Sequence, residues 1–276
     1  MKNLRQLKDL IKNMAKENNI NAQILLRNYM LERLLERIFL SEFKDKFILK
    51  GGMLVAALVG VDMRSTVDMD ATIKSYPATK KSIENAFNSI LSVKIDDGID
   101  MKIKSIEEIR TEGEYGGFRV SIDAIMENAR IPIKMDITIG DEITPKEVVY
   151  IFDLLLEDRS IDILAYNIET VIAEKLETII LRGTANTRMR DYYDIYILLK
   201  VQGDNIDKAT LAEAIIATSK RRGSIEVLSD GNQILEEVFS NDVLFNHWRR
   251  YQKKYSYASN ISWDEIKEAV FSIWNS

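Results

Sequence analysis

The spacing of apolar residues changes along the chain, and this change limits the possible folds more than any other feature of the sequence. Residues 1–45, and the chain from about residue 167 onward, carry apolar residues at helical spacing. Between them, around 100–110, 118–127 and 131–139, apolar and polar residues alternate as in strands with one buried face. The pattern predicts an α+β protein with a mixed sheet, followed by a C-terminal helical bundle.

Capping residues predict where several helices begin. Asn167 is placed to cap a helix over 168–182, and Ser262 with Glu265 forms a capping box before a helix over 263–274. Further helices are predicted over 79–92, 207–221, 232–239 and 241–255. The segment GEYGGF predicts a turn between the first two alternating runs. We therefore expect an α/β domain over 1–165 and a helical domain over 166–276.

Composition excludes several kinds of site. The chain has no cysteine and one histidine, His247, so it has no thiol nucleophile and no site built on two imidazoles. A bound metal would take oxygen ligands, which favours Mg²⁺ or Mn²⁺. No apolar run is long enough to span a membrane and no signal peptide is evident, so we expect a cytoplasmic protein. With a net charge of −5, a nucleic-acid partner requires a local basic patch.

Two motifs suggest phosphate and metal binding. Lys50-Gly51-Gly52 stands between a predicted strand and an apolar helix, where backbone N–H groups can face an anion, although a structural turn is the alternative. Downstream, RSTVDMD places Asp68 and Asp70 on one face of a predicted strand. Paired carboxylates repel each other without a cation, so this pair predicts a divalent metal site, and a solvated strand end is the alternative.

A later strand offers a third carboxylate. Ile131, Ile133, Met135, Ile137 and Ile139 alternate toward a core, so Lys134 and Asp136 point the other way. If this strand lies beside the first, Asp136 completes a three-carboxylate cluster of the kind that holds metal ions for phosphoryl transfer. Otherwise Lys134 and Asp136 are the solvated face of an antiparallel strand.

Two helices add charged candidates. Lys175 falls within the apolar stripe of its helix, which favours a functional lysine over a snorkelling one, and we expect its removal not to destabilise the fold. Glu174 and Glu177 fall outside the stripe and are predicted to face solvent. Asp191 and Asp194 share a face of the next helix, although an acidic first turn also suits the helix dipole. A polar loop framed by Arg182, Arg188 and Arg190 precedes it.

Taken in order, these motifs resemble nucleotidyltransferases of the DNA polymerase β-like superfamily. The segments KGGMLVAALVGVDMRSTVDMD, IKMDITIG, IETVIAEKLE and RMRDYYDIYILL are similar to the four motifs of the AbiEii/AbiGii toxin family, over roughly residues 47–200. The resemblance implies the toxin of an abortive-infection, type IV toxin–antitoxin pair, with an antitoxin encoded beside it. It further implies links to GTP and, in related toxins, nucleotide transfer to tRNA.

The resemblance assigns roles to the candidates. Metal ligands would be Asp68, Asp70 and Asp136, and catalytic residues would be Asp136, Lys175 and Asp191. The nucleotide-binding set would be Lys50, Gly51, Gly52, Arg64, Thr66, Lys134 and Asp194. We expect Asp191 to face a cleft between the two domains.

Two other functions stay open. The chain could be a GTP-binding effector that arrests growth without transferring nucleotides, or a nucleotidyltransferase that modifies a small molecule such as an antibiotic. A basic run, Lys220-Arg221-Arg222, and the segment Trp248–Lys254 favour RNA, because basic residues interleaved with aromatics can bind a backbone and stack bases. A solvated helix face explains both runs equally well.

Overall fold

The computed structural model describes residues 3–110 and 116–276, and within them one sheet of seven strands and ten α-helices are present. The helices are α1 (Leu4–Glu17), α2 (Ala22–Leu40), α3 (Gly51–Val59), α4 (Lys80–Ser92), α5 (Ile168–Arg182), α6 (Met189–Gln202), α7 (Lys208–Arg221), α8 (Gly231–Phe239), α9 (Asp242–Lys254) and α10 (Trp263–Trp274). The strands are β1 (Phe47–Lys50), β2 (Met69–Ile73), β3 (Asp100–Arg110), β4 (Gly116–Met126), β5 (Ala129–Ile139), β6 (Val148–Asp153) and β7 (Ser160–Ala165). The turn predicted in GEYGGF falls mainly on residues 111–115, outside the described residues.

The chain divides into two compact units. The sheet unit comprises residues 1–57, 64–140 and 148–165, and the helical unit comprises 58–63, 141–147 and 166–276. The main segments meet at residues 165 and 166, and two short segments, the end of α3 with the loop after it and the loop before β6, belong to the helical unit as well. Hydrogen bonds explain why those loops belong there. Tyr193 Oη donates to the carbonyl oxygen of Met63, and Asn167 Nδ2 donates to the carbonyl oxygen of Thr144.

The sheet has the strand order β3-β4-β5-β2-β1-β7-β6. β4 runs antiparallel to β3 and β5, β5 runs parallel to β2, and β2 runs antiparallel to β1. Alternation in β5 agrees with the sequence prediction, since Ile133, Met135 and Ile137 are buried while Lys134 is exposed. The sheet is therefore mixed, as predicted, and β7 is a strand that the sequence analysis did not identify.

Helix α2 carries charges into the interior of the sheet unit. Arg33 is fully buried and pairs with Glu32 at 2.7 Å and with Glu36 at 2.7 Å. One turn on, Arg37 pairs with the buried Asp97 at 2.9 Å. Each charge is compensated by a partner, which is the condition under which buried ionic groups are tolerated.

In the helical unit, aromatic rings fill the space between α6, α8, α9 and α10. Trp248 is fully buried, stacks on Tyr251 with ring centroids 5.4 Å apart, and donates its indole N–H to the carbonyl of Ile261 at 3.0 Å. Within the segment Trp248–Lys254, the Trp248 ring is therefore not available to stack a base, because it belongs to the core. No helix in the described part of the chain is long and apolar enough to cross a membrane.

Candidate functional site

Four charged residues form a row across four adjacent strands of the sheet unit. Lys50 on β1 lies opposite Asp70 on β2, and Asp70 lies opposite Asp136 on β5. Asp136 in turn lies opposite Arg119 on β4. Two carboxylates thus stand side by side with a cation at each end, and the sheet register, not sequence proximity, brings them together.

The Gly-Gly turn is built around Asp70. Gly51 has φ +66, a conformation that side chains disfavour, and a Cβ placed there would lie 2.9 Å from both Cβ and Cγ of Asp70. The backbone N–H of Gly52 donates a hydrogen bond to Asp70. Gly51 therefore lets the backbone approach the carboxylate closely, which a residue with a side chain could not do without displacing Asp70.

Gly52 is crowded from a second direction. A Cβ there would lie 2.9 Å from Thr66 Oγ1 and 3.1 Å from Arg64 Nη2. Both Arg64 and Thr66 are buried, and Thr66 Oγ1 donates to the carbonyl of Asp68 at 3.0 Å. The structure thus gathers Gly52, Arg64 and Thr66, three of the predicted nucleotide-binding residues. A fourth, Lys134, is exposed on β5, on the same face as Asp136.

Asp70 experiences the charges of both other predicted metal ligands. Burial raises its pKa, the positive charge of Lys50 and the Gly52 hydrogen bond lower it, and the charges of Asp136 and Asp68 raise it. The net effect is a pKa above the ordinary value. The position of Asp68 differs from the prediction, since β2 begins at Met69 and Asp68 lies in the bend before it.

Asp136 is bound by an arginine that the sequence analysis did not identify. Arg119 Nε donates a hydrogen bond to Asp136 Oδ1 at 2.7 Å, and Arg119 Nη2 donates one to Asp136 Oδ2 at 2.6 Å.

Among residues 3–110 and 116–276, no three His, Asp or Glu side chains are grouped so as to hold one metal ion. The oxygen donors suit Mg²⁺ or Mn²⁺ chemically, and the assignment of Asp68, Asp70 and Asp136 as metal ligands stays a prediction.

The helical unit contains the remaining predicted residues. Lys175 Nζ on α5 lies 2.6 Å from Asp194 Oδ2 and 3.5 Å from Asp191 Oδ1 on α6. Asp194 is fully buried and Asp191 nearly so. The ion pairs favour the opposite of the earlier expectation for Lys175, namely that its removal lowers stability, because its charge compensates carboxylates that cannot reach water.

One oxygen of Asp191 is not bound by Lys175. Oδ2 of Asp191 is buried and, within the described residues, accepts no hydrogen bond, although Arg188 Nε lies 3.3 Å away at ion-pair distance. Next to it in sequence, Arg190 donates to Tyr255 Oη at 3.0 Å, and its guanidinium lies over the Tyr255 ring at 5.5 Å from the centroid. Lys254 Nζ lies over the same ring at 5.3 Å.

The expectation that Glu174 and Glu177 on α5 face solvent is wrong. Glu177 is buried and Glu174 largely so, because both pair with Arg222, at 2.8 Å and 2.9 Å respectively. Ser224 Oγ also donates to Glu177 at 2.6 Å. Arg222 therefore ties α5 to the end of α7, and its charge is engaged by these two carboxylates.

Comparison with known proteins agrees with this architecture. The family described as "Nucleotidyl transferase AbiEii toxin, Type IV TA system" matches residues 33–269. Among solved structures, JHP933 from Helicobacter pylori is 15% identical with a TM-score of 0.50, covering 92% of this chain and 91% of its own. At this identity the likeness concerns the fold alone.

Two further structures are similar at lower scores. A candidate nucleotidyltransferase from H. pylori is 15% identical with a TM-score of 0.48, covering 93% of this chain and 95% of its own. An antigenic nucleotidyltransferase-like protein from Paracoccidioides brasiliensis is 13% identical with a TM-score of 0.39, covering 78% and 97%. No curated protein matches the sequence significantly.

The family match extends over most of the chain and includes every motif on which the resemblance was based. The predicted family and the predicted α+β class are both confirmed. The chain therefore belongs to the AbiEii nucleotidyltransferase toxin family of type IV toxin–antitoxin systems.

Proposed function

We propose that this chain is a divalent-metal-dependent enzyme that transfers a nucleoside monophosphate from a nucleoside triphosphate to a 3′ hydroxyl of RNA. GTP is our candidate donor and tRNA our candidate acceptor. Family membership supplies nucleotidyl transfer and a cognate antitoxin. In a cell, we propose that blocking tRNA ends arrests growth, which would protect a bacterial population from phage.

The observation that carries the proposal is the packing of Asp70 against Gly51, in a row with Lys50 and Asp136. A helix N-terminus, a buried lysine and neighbouring carboxylates suit a triphosphate accompanied by a divalent ion. When bound through Asp68, Asp70 and Asp136, such an ion would stabilise negative charge on the phosphoryl oxygens.

The reaction requires little covalent chemistry from the protein. The 3′ oxygen of the acceptor forms a bond to the α-phosphorus, the bond from that phosphorus to the bridging oxygen of the β-phosphate breaks, and pyrophosphate leaves. We assign acceptance of the hydroxyl proton to Asp136, and neutralisation of phosphate charge to Lys50 and Arg64. Positioning and charge stabilisation then account for most of the rate.

We assign residues of the helical unit to RNA binding. We assign Asp191 Oδ2, which accepts no hydrogen bond within the described residues although Arg188 Nε lies 3.3 Å away, to accept a hydrogen bond from a hydroxyl of the RNA. Lys175 fixes Asp191 and Asp194 at 3.5 Å and 2.6 Å, so we assign it a positioning role in addition to its charge. Arg190 and Lys254, both held on the Tyr255 ring, provide positive charge for an RNA backbone.

The test is transfer with purified components. The protein is incubated with each α-³²P-labelled nucleoside triphosphate, bulk tRNA and MgCl₂, and RNA and pyrophosphate are resolved separately. We expect labelled tRNA with matching release of pyrophosphate, strongest with GTP, abolished by EDTA and absent with Asp70→Asn. Nucleotide binding without label transfer would instead support the growth-arrest effector, and label on an added aminoglycoside would support the small-molecule enzyme.

A further inference from the structure

Arg119 contacts Asp136, one of the proposed metal ligands. The sequence analysis did not select Arg119 as a site residue. It lies directly opposite Asp136 in the register of β4 and β5 and binds both carboxylate oxygens, at 2.7 Å and 2.6 Å. The Arg119 side chain is 41% exposed and that of Asp136 is 20% exposed. Exposed pairs usually contribute little, but a two-point arginine–carboxylate pair is the stronger exception.

Arg119 also interacts electrostatically with a second predicted metal ligand. The hydrogen bonds and charge of Asp136 raise the pKa of Arg119, and the charge of Asp68 raises it as well. Asp68 and Asp136 also act together on Asp70. Arg119 is thus the cation at one end of the row of charged residues, and Lys50 is the cation at the other end.

A second arginine–aspartate pair on the same two strands shows what a purely structural pair looks like. Arg130 contacts Asp123 directly, and Asp123 is largely buried. The pKa of Arg130 is raised by Asp123 alone among the carboxylates. Unlike Arg119, Arg130 therefore interacts with one carboxylate, and that carboxylate is not a predicted metal ligand.

We propose that Arg119 is a positioning residue that holds Asp136 and competes with the divalent ion for it. This inference rests on the proposed function, specifically on Asp68, Asp70 and Asp136 as the metal ligands. A divalent ion bound through Asp136 must replace charge that Arg119 already supplies. The protein alone then binds the ion weakly, and Arg119 becomes available to an anionic substrate group once Asp136 has exchanged partners.

The test measures Mn²⁺ binding to the full-length protein without nucleotide, using electron paramagnetic resonance to quantify free Mn²⁺. The variants are Arg119→Gln, Arg119→Lys, the matched control Arg130→Gln, and Asp70→Asn. Circular dichroism verifies that each is folded. Because a charge-assisted two-point pair is lost, we expect Arg119→Gln to bind Mn²⁺ about tenfold more tightly than the parent protein. Arg119→Lys should lie between them, Arg130→Gln should match the parent, and Asp70→Asn should lose binding.

The outcomes separate this inference from the function on which it rests. If Asp70→Asn loses Mn²⁺ but Arg119→Gln binds it no more tightly than the parent, the metal ligands are correct and competition by Arg119 is refuted. If Arg130→Gln gains as much as Arg119→Gln, the effect is general surface charge, and the inference is again overturned. If no variant binds Mn²⁺, or Asp70→Asn binds it normally, the metal assignment itself fails and the inference fails with it.

Discussion

Lys175 Nζ lies 2.6 Å from Oδ2 of Asp194, a carboxylate with no solvent-exposed surface. The same ammonium lies 3.5 Å from Oδ1 of Asp191. It therefore joins α5 to α6 through two buried carboxylates, of which Asp191 is proposed to contact the acceptor. Any substitution of Lys175 changes stability as well as activity, so the two effects must be measured separately.

Replacing Lys175 by methionine should destabilise the protein by about 3 kcal/mol, since it leaves a buried carboxylate without its closest cation. The double variant Lys175→Met/Asp194→Asn should recover part of the loss. Lys81→Met, which breaks the exposed Lys81–Glu84 pair at 3.1 Å, should cost under about 0.5 kcal/mol. Urea denaturation at neutral pH measures all three. Equal losses for Lys175→Met and Lys81→Met would show that the buried pair carries no special weight.

Gly51→Ala should abolish transfer and lower stability, because the new methyl group must displace Asp70. Gly223 provides a control, since its φ of +69 is close to the +66 of Gly51, and a Cβ added at Gly223 would meet no described atom within 4 Å. Gly223→Ala should therefore show only the backbone cost, about 1 kcal/mol, with normal activity. Thermal denaturation and the labelled-nucleotide assay distinguish the two. Full activity of Gly51→Ala would contradict the proposed packing of the turn on Asp70.

Asp70→Asn should stabilise the protein near pH 7 while removing activity. Because the folded-state pKa of Asp70 is raised, its ionisation opposes folding, and this penalty grows as pH rises above the unfolded value of about 4. The advantage of the asparagine variant should disappear below that pH. The measurement is unfolding free energy against pH, with EDTA present throughout.

Asp123→Asn is the control, because it should change the free energy of unfolding at neutral pH in the opposite direction. The Arg130 hydrogen bond lowers the pKa of Asp123, so its carboxylate favours folding above about pH 4 and loses that effect as pH falls. The variant should therefore be less stable than the parent at neutral pH and equal to it in acid. Parallel pH profiles for the two variants would refute the electrostatic description of Asp70.

Arg190→Gln should weaken tRNA binding and reduce the salt dependence of binding by about one phosphate contact. Lys267 is the matched control in the same unit. It also lies over an aromatic ring, Phe271, at 5.4 Å, but pairs with Glu236 at 2.9 Å. Lys267→Gln should leave affinity unchanged. Filter binding across a range of NaCl concentrations measures both, and an unchanged slope for Arg190→Gln would exclude this surface as the RNA site.

Local signals in the sequence were sufficient for most of the elements. Asn167 caps α5 over Ile168–Arg182, and the Ser262–Glu265 capping box begins α10 at Trp263, both as predicted. The strand β7 was missed, although it joins the sheet through a register pair with β1, Leu49 with Ala165, and carries the edge strand β6 on its other side. A signal was present within SIDILA, because Ile161, Ile163 and Ala165 alternate with the exposed Ser160 and Asp162, as in a strand with one buried face.

The sequence predicted some residues of the candidate site and not others. Residue type and alternation were enough to select Asp70 and Asp136, since each points away from an apolar face. Arg119 occupies the polar positions of β4 with Ser121 and Asp123, so alternation could have marked it as outward-facing but could not name its partner. Glu177 was assigned to solvent because its position on the helix wheel faces away from the apolar stripe, whereas Arg222 covers it from 45 residues further along the chain.

The sequence by itself determined the α+β class, the helix starts and the residue types available for chemistry, because caps and hydrophobic periodicity act over only a few residues. Tertiary structure decided which charges meet. Lys50, Asp70, Asp136 and Arg119 become neighbours through strand pairing, and Lys175 meets Asp194 through helix packing. Electrostatic interactions depend on distance in space and on burial, and neither quantity is encoded by the spacing of two residues along a chain.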